Sequence, residues 1–228
     1  MPRTSLTDDE LEATRQRLAE TALEIYREEG MEALSFRRIA DVLGISHTRS
    51  YRYFENKEAL LARVRVDALK RLEVFIRAPC PVPGTALANI RAIIDAFIEY
   101  GRRQPADYLL IFATHQPAPT QYPALLAARR QVFDHAVDAV QQAIDAGEIA
   151  GDARQLAHAV WVSVNGLLTL YAANQLVHGY TLDELIEPVL GGLLRPVAAS
   201  PASSAKPARR PRAGNTSTAS PRSKGVLS

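Results

Sequence analysis

Residues Ser35 to Lys57 read SFRRIADVLGISHTRSYRYFENK and carry the clearest structural signals of the chain. Ser35 predicts the N-cap of a short helix, because a serine side chain can accept the free amide hydrogens at a helix start. Gly44 ends this helix, since glycine takes a positive φ at little cost. Ser46 then caps a second short helix that extends to about Phe54. Two short helices joined by a three-residue turn are typical of a helix-turn-helix.

The side chains of this stretch are suited to DNA. Its five arginine and lysine residues stand against Asp41 and Glu55, which gives a net charge of +3. The chain up to Pro196 has a net charge of −4, because six positive charges and no acid lie after it. The positive charge of the folded part is therefore local, and its donors and planar groups are the types that contact phosphates and base edges.

The residues of this stretch resemble a known family. The run from Ser35 to Leu60 is similar to the DNA-binding signature of the TetR family of bacterial transcription regulators, and the similarity extends from about Leu18 to Val64. The resemblance implies that three residues of the second short helix read base edges in the major groove, and that its aromatic and basic end holds the DNA backbone. The implied DNA-binding residues are Ser35, Arg37, Arg38, His47, Thr48, Arg49, Tyr51, Arg52, Tyr53 and Lys57.

One position departs from the family pattern. Ser50 occupies a site that is usually aliphatic and buried. We expect it to loosen the packing of the helix or to hydrogen-bond back to the preceding turn.

The rest of the chain predicts an all-α protein of about nine helices. Apolar residues recur at helical spacing, and no strand-like alternation is present. We expect a flexible arm over residues 1–7, a three-helix helix-turn-helix DNA-binding domain over 8–57, and a helical-bundle ligand-binding and dimerisation domain over 58–195. The segment 196–228 is basic and poor in large apolar residues, which predicts a disordered tail.

A small-molecule cavity is one interpretation of the aromatic middle of the chain; an ordinary core is the other. The segment Trp161 to Gly166 is similar to the Trp…His-Gly segment of one class of TetR C-terminal domains, with Asn165 where that class has histidine. In the family, a ligand entering there releases the operator. The predicted pocket residues are Phe97, Tyr108, Phe112, Phe133, Val137, Trp161 and Asn165.

The last two helices are the predicted dimer face, because both are apolar on more sides than a monomer needs. A symmetric dimer fits a pseudo-palindromic operator, with its two recognition helices about 34–36 Å apart or at a multiple of that distance. The alternative is that these faces are buried within one chain. The predicted interface residues are Val164, Leu168, Leu182, Ile186, Val189, Gly191 and Leu193.

Other classes of protein are weighed against this interpretation. The single cysteine, Cys80, cannot form an intramolecular disulfide, and the polar start predicts no secretory signal, so we expect a cytoplasmic protein that joins the nucleoid when bound to DNA. The uncharged run 159–177 is long enough for a membrane span but contains polar residues, so we expect a buried helix instead.

The sequence contains no catalytic motif and no two-histidine metal motif. We therefore expect no enzyme activity, metal or cofactor, while an unidentified small-molecule effector remains open. A constitutive DNA binder and a dimeric interaction module remain the alternatives to a ligand-released repressor.

Overall fold

The computed structural model describes residues 7–46, 50–112 and 115–196. Within these ranges the chain forms eight α-helices and no strand, which confirms the predicted all-α class. The helices are α1 (Asp8–Glu29), α2 (Phe36–Leu43), α3 (Lys57–Arg77), α4 (Ala86–Arg103), α5 (Pro105–Phe112), α6 (Pro123–Asp145), α7 (Ala153–Ala172) and α8 (Leu182–Leu193).

Side-chain caps fix where several helices begin. Thr7 and Glu10 form a reciprocal capping box at the start of α1, and Thr181 and Glu184 form another at the start of α8. Asn56 accepts a hydrogen bond from the Ala59 amide at 2.8 Å and so starts α3. Each cap satisfies amides that the helix itself leaves without a partner.

The helices enclose contiguous hydrophobic clusters. The first, which we call the head core, joins α1, α2 and the start of α3 through Leu18, Ile39 and Leu60. Leu110 of α5 also lies in the head core, although α5 follows much later in the chain. The remaining clusters lie between α3 and α8, and include Tyr108 and Ile111 of the same helix. The short helix α5 is therefore packed into both parts of the protein.

No described helix has the length and apolar character needed to cross a bilayer. The helix α7, which contains most of the uncharged run, carries polar positions and begins at an Asp152 cap. Pro188 lies inside α8, which continues without a break from Leu182 to Leu193.

Candidate DNA-binding surface and effector cavity

The turn after α2 has the geometry of a helix ending at glycine. Gly44 is in the left-handed region at φ 64° and ψ 32°, and the Ile45 amide donates to the Ala40 carbonyl oxygen at 3.0 Å. The other end of α2 is capped by Ser35, whose Oγ accepts from the Arg38 amide at 3.2 Å. A side chain at position 44 would strain this conformation, so Gly44 sets the direction of the segment that follows.

Six of the predicted DNA-contacting side chains are exposed in the described part of this surface, and three of them make no hydrogen bond or ion pair within it. Arg37 lies on α2, and Tyr51 and Arg52 lie in the turn after Ser50. The Tyr51 ring packs against Phe36 with centroids 4.7 Å apart, while more than half of its surface stays exposed. This contact orients the ring without hiding its hydroxyl group.

Other predicted contacts are already engaged within the chain. The Arg38 guanidinium pairs with Glu29 at 2.7 Å, and this hydrogen-bonded pair raises the pKa of Arg38 and lowers that of Glu29. Lys57 Nζ donates to the Met31 carbonyl oxygen at 3.1 Å. Ser35 Oγ is occupied by its capping bond. Because these groups are exposed as well, each could reach DNA only by exchanging or sharing its present partner.

Two side chains of the same segment point inward. Tyr53 is 5% exposed, and its buried hydroxyl has no partner among the described residues, so this side chain is not placed to meet a phosphate. The expected backbone contact is corrected accordingly: Tyr53 belongs to the head core, as does the neighbouring Phe54. Ser50 is also fully buried, and its Oγ has no hydrogen-bond partner in the described structure, so the expected back-bond to the preceding turn is not found.

The three residues predicted to read base edges, His47, Thr48 and Arg49, lie outside the described residues. Their neighbours define the segment on both sides: Ile45 follows the glycine turn, and the Tyr53 and Phe54 amides donate to the Ser50 carbonyl oxygen at 3.1 and 3.3 Å. Arg15 of α1 donates to the Tyr53 carbonyl oxygen at 3.3 Å. This bond holds the end of the segment against α1, the first helix of the head core.

A cavity of about 520 Å³ lies among α3, α4, α5, α6 and α7. Four of the predicted pocket residues line it, namely Phe97, Phe112, Phe133 and Trp161. The other three are not in its wall. Tyr108 is buried and donates its hydroxyl to Asn165 Oδ1 at 2.7 Å, so each satisfies the other, and Val137 packs against the neighbouring hydrophobic cluster. Burial raises the pKa of Tyr108 to about 12, so the hydroxyl stays protonated and donating.

Two ionic clusters link helices of the head core to the rest of the structure, and neither was expected from the sequence. In the first, the buried Asp107 of α5 accepts from Arg27 of α1 at 2.8 Å and from Arg71 of α3 at 2.9 Å. The Tyr100 hydroxyl lies 3.4 Å from the same carboxylate, and burial beside Asp107 raises the Tyr100 pKa. The only sequence signal was one acid in an otherwise apolar helix, and its partners are 36 and 80 residues away.

The second cluster surrounds Arg65 of α3, which is 1% exposed. Its guanidinium donates to the Leu110 carbonyl oxygen at 3.3 Å and to the His115 carbonyl oxygen at 2.7 Å, and it lies 3.5 Å from Glu58. Gln116 donates to the same Leu110 oxygen at 3.2 Å and accepts from Arg129 at the cavity. Hydrogen bonds therefore run from the cavity wall to the first turn of α3.

The predicted dimer face needs correction at four positions. Val164, Leu168, Leu182 and Ile186 are buried within their own chain, so their side chains cannot contact a partner. Gly191 is exposed, and Val189 and Leu193 are half-buried. The exposed apolar side chains of α7 are different ones: Trp161, Val162, Leu170 and Tyr171.

A capped glycine turn, an exposed basic and aromatic surface beside it, and a separate apolar cavity are the features expected of a helix-turn-helix transcription regulator. Comparison with family models agrees. The model described as "Bacterial regulatory proteins, tetR family" matches residues 18–64, and the one described as "Tetracyclin repressor-like, C-terminal domain" matches 90–193. Together they match about two thirds of the chain. The chain belongs to the TetR family, and it is a DNA-binding transcription regulator.

Several individual proteins are similar. Nucleoid occlusion factor SlmA of Actinobacillus pleuropneumoniae is 32% identical over 82 residues, which are 34% of this chain and 39% of that protein. The match thus spans about two fifths of the curated relatives' length. A solved structure of a protein with unknown function from Rhodococcus sp. RHA1 is 25% identical, covers 86% of this chain and 97% of its own, and has a TM-score of 0.68.

Other solved structures share the fold at lower identity. The transcriptional regulator FadR from Bacillus subtilis, in complex with stearoyl-CoA, is 16% identical with a TM-score of 0.64, and the match covers 80% of this chain and 99% of that one. The TetR family regulator PfmR from Thermus thermophilus is 20% identical with a TM-score of 0.58, covering 78% and 97%.

Proposed function

We propose that this chain is a cytoplasmic homodimeric repressor that binds a pseudo-palindromic operator and releases it when a small molecule fills the cavity. The observation that carries the proposal is the position of α5. Its Asp107 pairs with Arg27 of α1, and its Ile111 and Phe112 line the cavity. One eight-residue helix therefore touches both the DNA-binding head and the ligand space.

The ionic contacts of α5 supply the coupling. A ligand that displaces Ile111 or Phe112 moves the helix that holds Asp107 and Leu110, and Leu110 is part of the head core. A ligand that prefers the released conformation 100-fold supplies about 2.7 kcal/mol of coupling free energy.

The exposed apolar surface of α7 supports dimerisation. Val162, Gly166 and Leu170 follow one another at four-residue spacing and so share one helix face. All three are exposed, and no described atom lies within 4 Å of a Cβ built on Gly166. In a symmetric dimer this face packs against its own copy, together with the exposed Pro188 and Gly192 of α8.

A gel shift tests the proposal directly. The full chain is titrated against DNA from the region upstream of its own coding sequence, with an unrelated fragment of equal length as the control. We expect retention of the upstream fragment alone at moderate ionic strength. Equal binding to both fragments, or none to either at low salt, would contradict the proposal and favour the dimeric interaction module.

A further inference from the structure

We propose that the cavity takes an elongated apolar molecule with an anionic head group, of which a fatty acid is the simplest example, and that Arg129 faces the anion. This assigns a ligand class to the effector site of the proposed function and rests on that function for its regulatory meaning. The binding itself is independent of DNA and is tested without it.

The dimensions of the cavity fit one chain-like molecule. Its volume of about 520 Å³ lies within the range of about 300–1,000 Å³ found for small-molecule sites. At about 30 Å³ for each water-sized atom, it holds about 17 non-hydrogen atoms. A twelve- to fourteen-carbon carboxylate is of about this size.

The inner wall requires an apolar ligand body. The side chains from α3, α4 and α5 are aliphatic or aromatic throughout, with Ile76, Ile93, Phe97 and Phe112 as examples. Such a wall offers no hydrogen-bond partner to a polar group, and a polar group buried without one is strongly disfavoured. The wall accommodates methylene groups and excludes sugars, nucleotides and peptides from the interior.

The polar lining is mostly cationic and lies on α6 and α7. Arg154 is neutralised by Asp134 at 2.8 Å and lies over the Phe133 ring. Arg129 and Arg130 differ, since no carboxylate among the described residues lies within ion-pairing distance of either. A ligand that carries positive charge is therefore disfavoured, and an anion gains two uncompensated partners.

Arg129 is the better placed of the two arginines for the head group. It is half-buried, whereas Arg130 is exposed. Arg129 donates to the neutral Gln116 side chain, and burial together with the nearby Arg65 cation lowers its pKa. A carboxylate at Arg129 replaces water and a neutral acceptor with a charge-assisted hydrogen bond, which is the stronger interaction. Because Gln116 also reaches the Leu110 carbonyl oxygen bound by Arg65, the same anion acts on the head-connecting cluster.

The only tryptophan of the chain reports binding. The Trp161 ring is in the cavity wall, and its centroid lies 6.5 Å from that of Phe133. A bound ligand therefore changes the surroundings of this ring and with them its fluorescence.

The full chain is titrated with dodecanoate, dodecanol and dodecylamine below their micelle concentrations, while tryptophan emission and thermal stability are recorded. We expect dodecanoate to bind at least tenfold more tightly than dodecanol, and dodecylamine to bind most weakly. Added salt should weaken dodecanoate alone, because screening acts on its charge.

Variants locate the head group. Arg129→Gln should reduce dodecanoate affinity about tenfold and leave dodecanol unchanged, whereas Arg103→Gln, an exposed α4 arginine paired with Glu99, should change neither. Dodecanoyl-CoA separates two sources of negative charge: if it binds far more tightly than dodecanoate, the head group is a phosphorylated carrier, and if it does not bind, the head group is a free carboxylate. Either result keeps the anionic class.

Equal affinity for dodecanoate and dodecanol, tighter binding of dodecylamine, or no response to any of them would overturn the assignment. So would a loss of dodecanoate and dodecanol binding to the same extent in Arg129→Gln. None of these results bears on the gel shift, so the ligand class and the DNA-binding function fail separately.

Discussion

Arg27 Nη2 lies 2.7 Å from Asp107 Oδ1, which joins the last turn of α1 to the first turn of α5. Arg71 holds the second oxygen of the same carboxylate at 2.9 Å. Asp107 is 1% exposed, while both arginines are partly exposed. One buried acid thus compensates two cations from different helices, and the head is fixed to the rest of the protein by charge as well as by apolar packing.

Asp107→Asn should destabilise the protein by about 2 kcal/mol. Removing one member of a buried ion pair leaves its partners uncompensated, although water can reach these two arginines and reduce the cost. Arg27→Met should cost less, about 1 kcal/mol or below, because Arg71 still pairs with the carboxylate. Urea unfolding of the three proteins measures the difference, and an Arg27→Met loss equal to that of Asp107→Asn would contradict the shared-acid arrangement.

Ser50→Ala should stabilise the protein by about 1 kcal/mol. A buried hydroxyl without a partner carries an uncompensated desolvation cost of about 1–3 kcal/mol, and the substitution removes it. Ser35→Ala is the matched control, since it deletes the α2 cap and should cost about 1 kcal/mol. Thermal melts of both variants test the pair; destabilisation by Ser50→Ala would mean that its hydroxyl is satisfied after all.

Operator affinity should fall steeply with salt. If each subunit neutralises about four phosphates, the slope of log affinity against log salt for a dimer is about −7. Arg37→Ala should make this slope less steep by about 2, because one phosphate contact is lost from each subunit. Arg103→Ala is the control, because Arg103 lies on α4, and its slope should be unchanged.

Arg49→Ala should instead cost about 1–3 kcal/mol of binding free energy and relax the preference at one base pair, if the side chain reads a base edge. Binding to operators that vary at one base pair at a time measures this, and equal weakening on all of them would indicate a phosphate contact.

Val162→Asp should convert the dimer to monomers. Val162 is 58% exposed on the apolar face of α7, and a symmetric interface places both new carboxylates close together in an apolar setting. Val74→Asp is the control, because Val74 is 70% exposed on α3 and away from that face. Light scattering coupled to gel filtration gives the mass of each variant, and a wild-type mass of one chain would refute the dimer.

Acid should destabilise the protein through His135. Burial of this ring, with Arg77 nearby, lowers its pKa, and its Nε2 has no hydrogen-bond partner in the described structure. Glu73 and Asp138 oppose the shift without cancelling it. The unfolded chain therefore takes up the proton first, and stability is lost as the pH falls through about 6.5 toward the lowered pKa of the folded form.

The histidine contribution is isolated by His135→Leu. The melting temperature of the wild type should fall further than that of the variant between pH 7.5 and 5.5. Parallel curves for the two proteins would show that another group is responsible.

Local features were predictable because their causes are local. The Ser35 cap and the Gly44 stop act within a few residues, and the structure has both where the sequence predicted them. The helix-turn-helix follows from such signals. The sequence also showed that the middle segment is rich in aromatic residues, and four of the five predicted pocket aromatics line the cavity.

Long-range partners were not predictable in the same way. Nothing near Asp107 in the sequence identifies Arg27, and Tyr108 was assigned to the cavity because its pairing with Asn165 joins residues 57 positions apart. Four of the predicted dimer residues were misassigned for a related reason, since they are buried within their own chain. Apolar periodicity shows that a helix has an apolar face, but it does not show whether the chain itself or a second copy covers that face.

The uninterrupted length of α3 makes small motions consequential. At 1.5 Å per residue its 21 residues extend about 31 Å, from Leu60 and Leu61 in the head core to Ile76 at the cavity. A tilt of about 5° at one end displaces the other by about 3 Å, roughly the length of one hydrogen bond. In the proposed mechanism, a ligand that tilts α3 at the cavity would therefore displace the head core, and with it the DNA-binding residues, by about the length of one hydrogen bond.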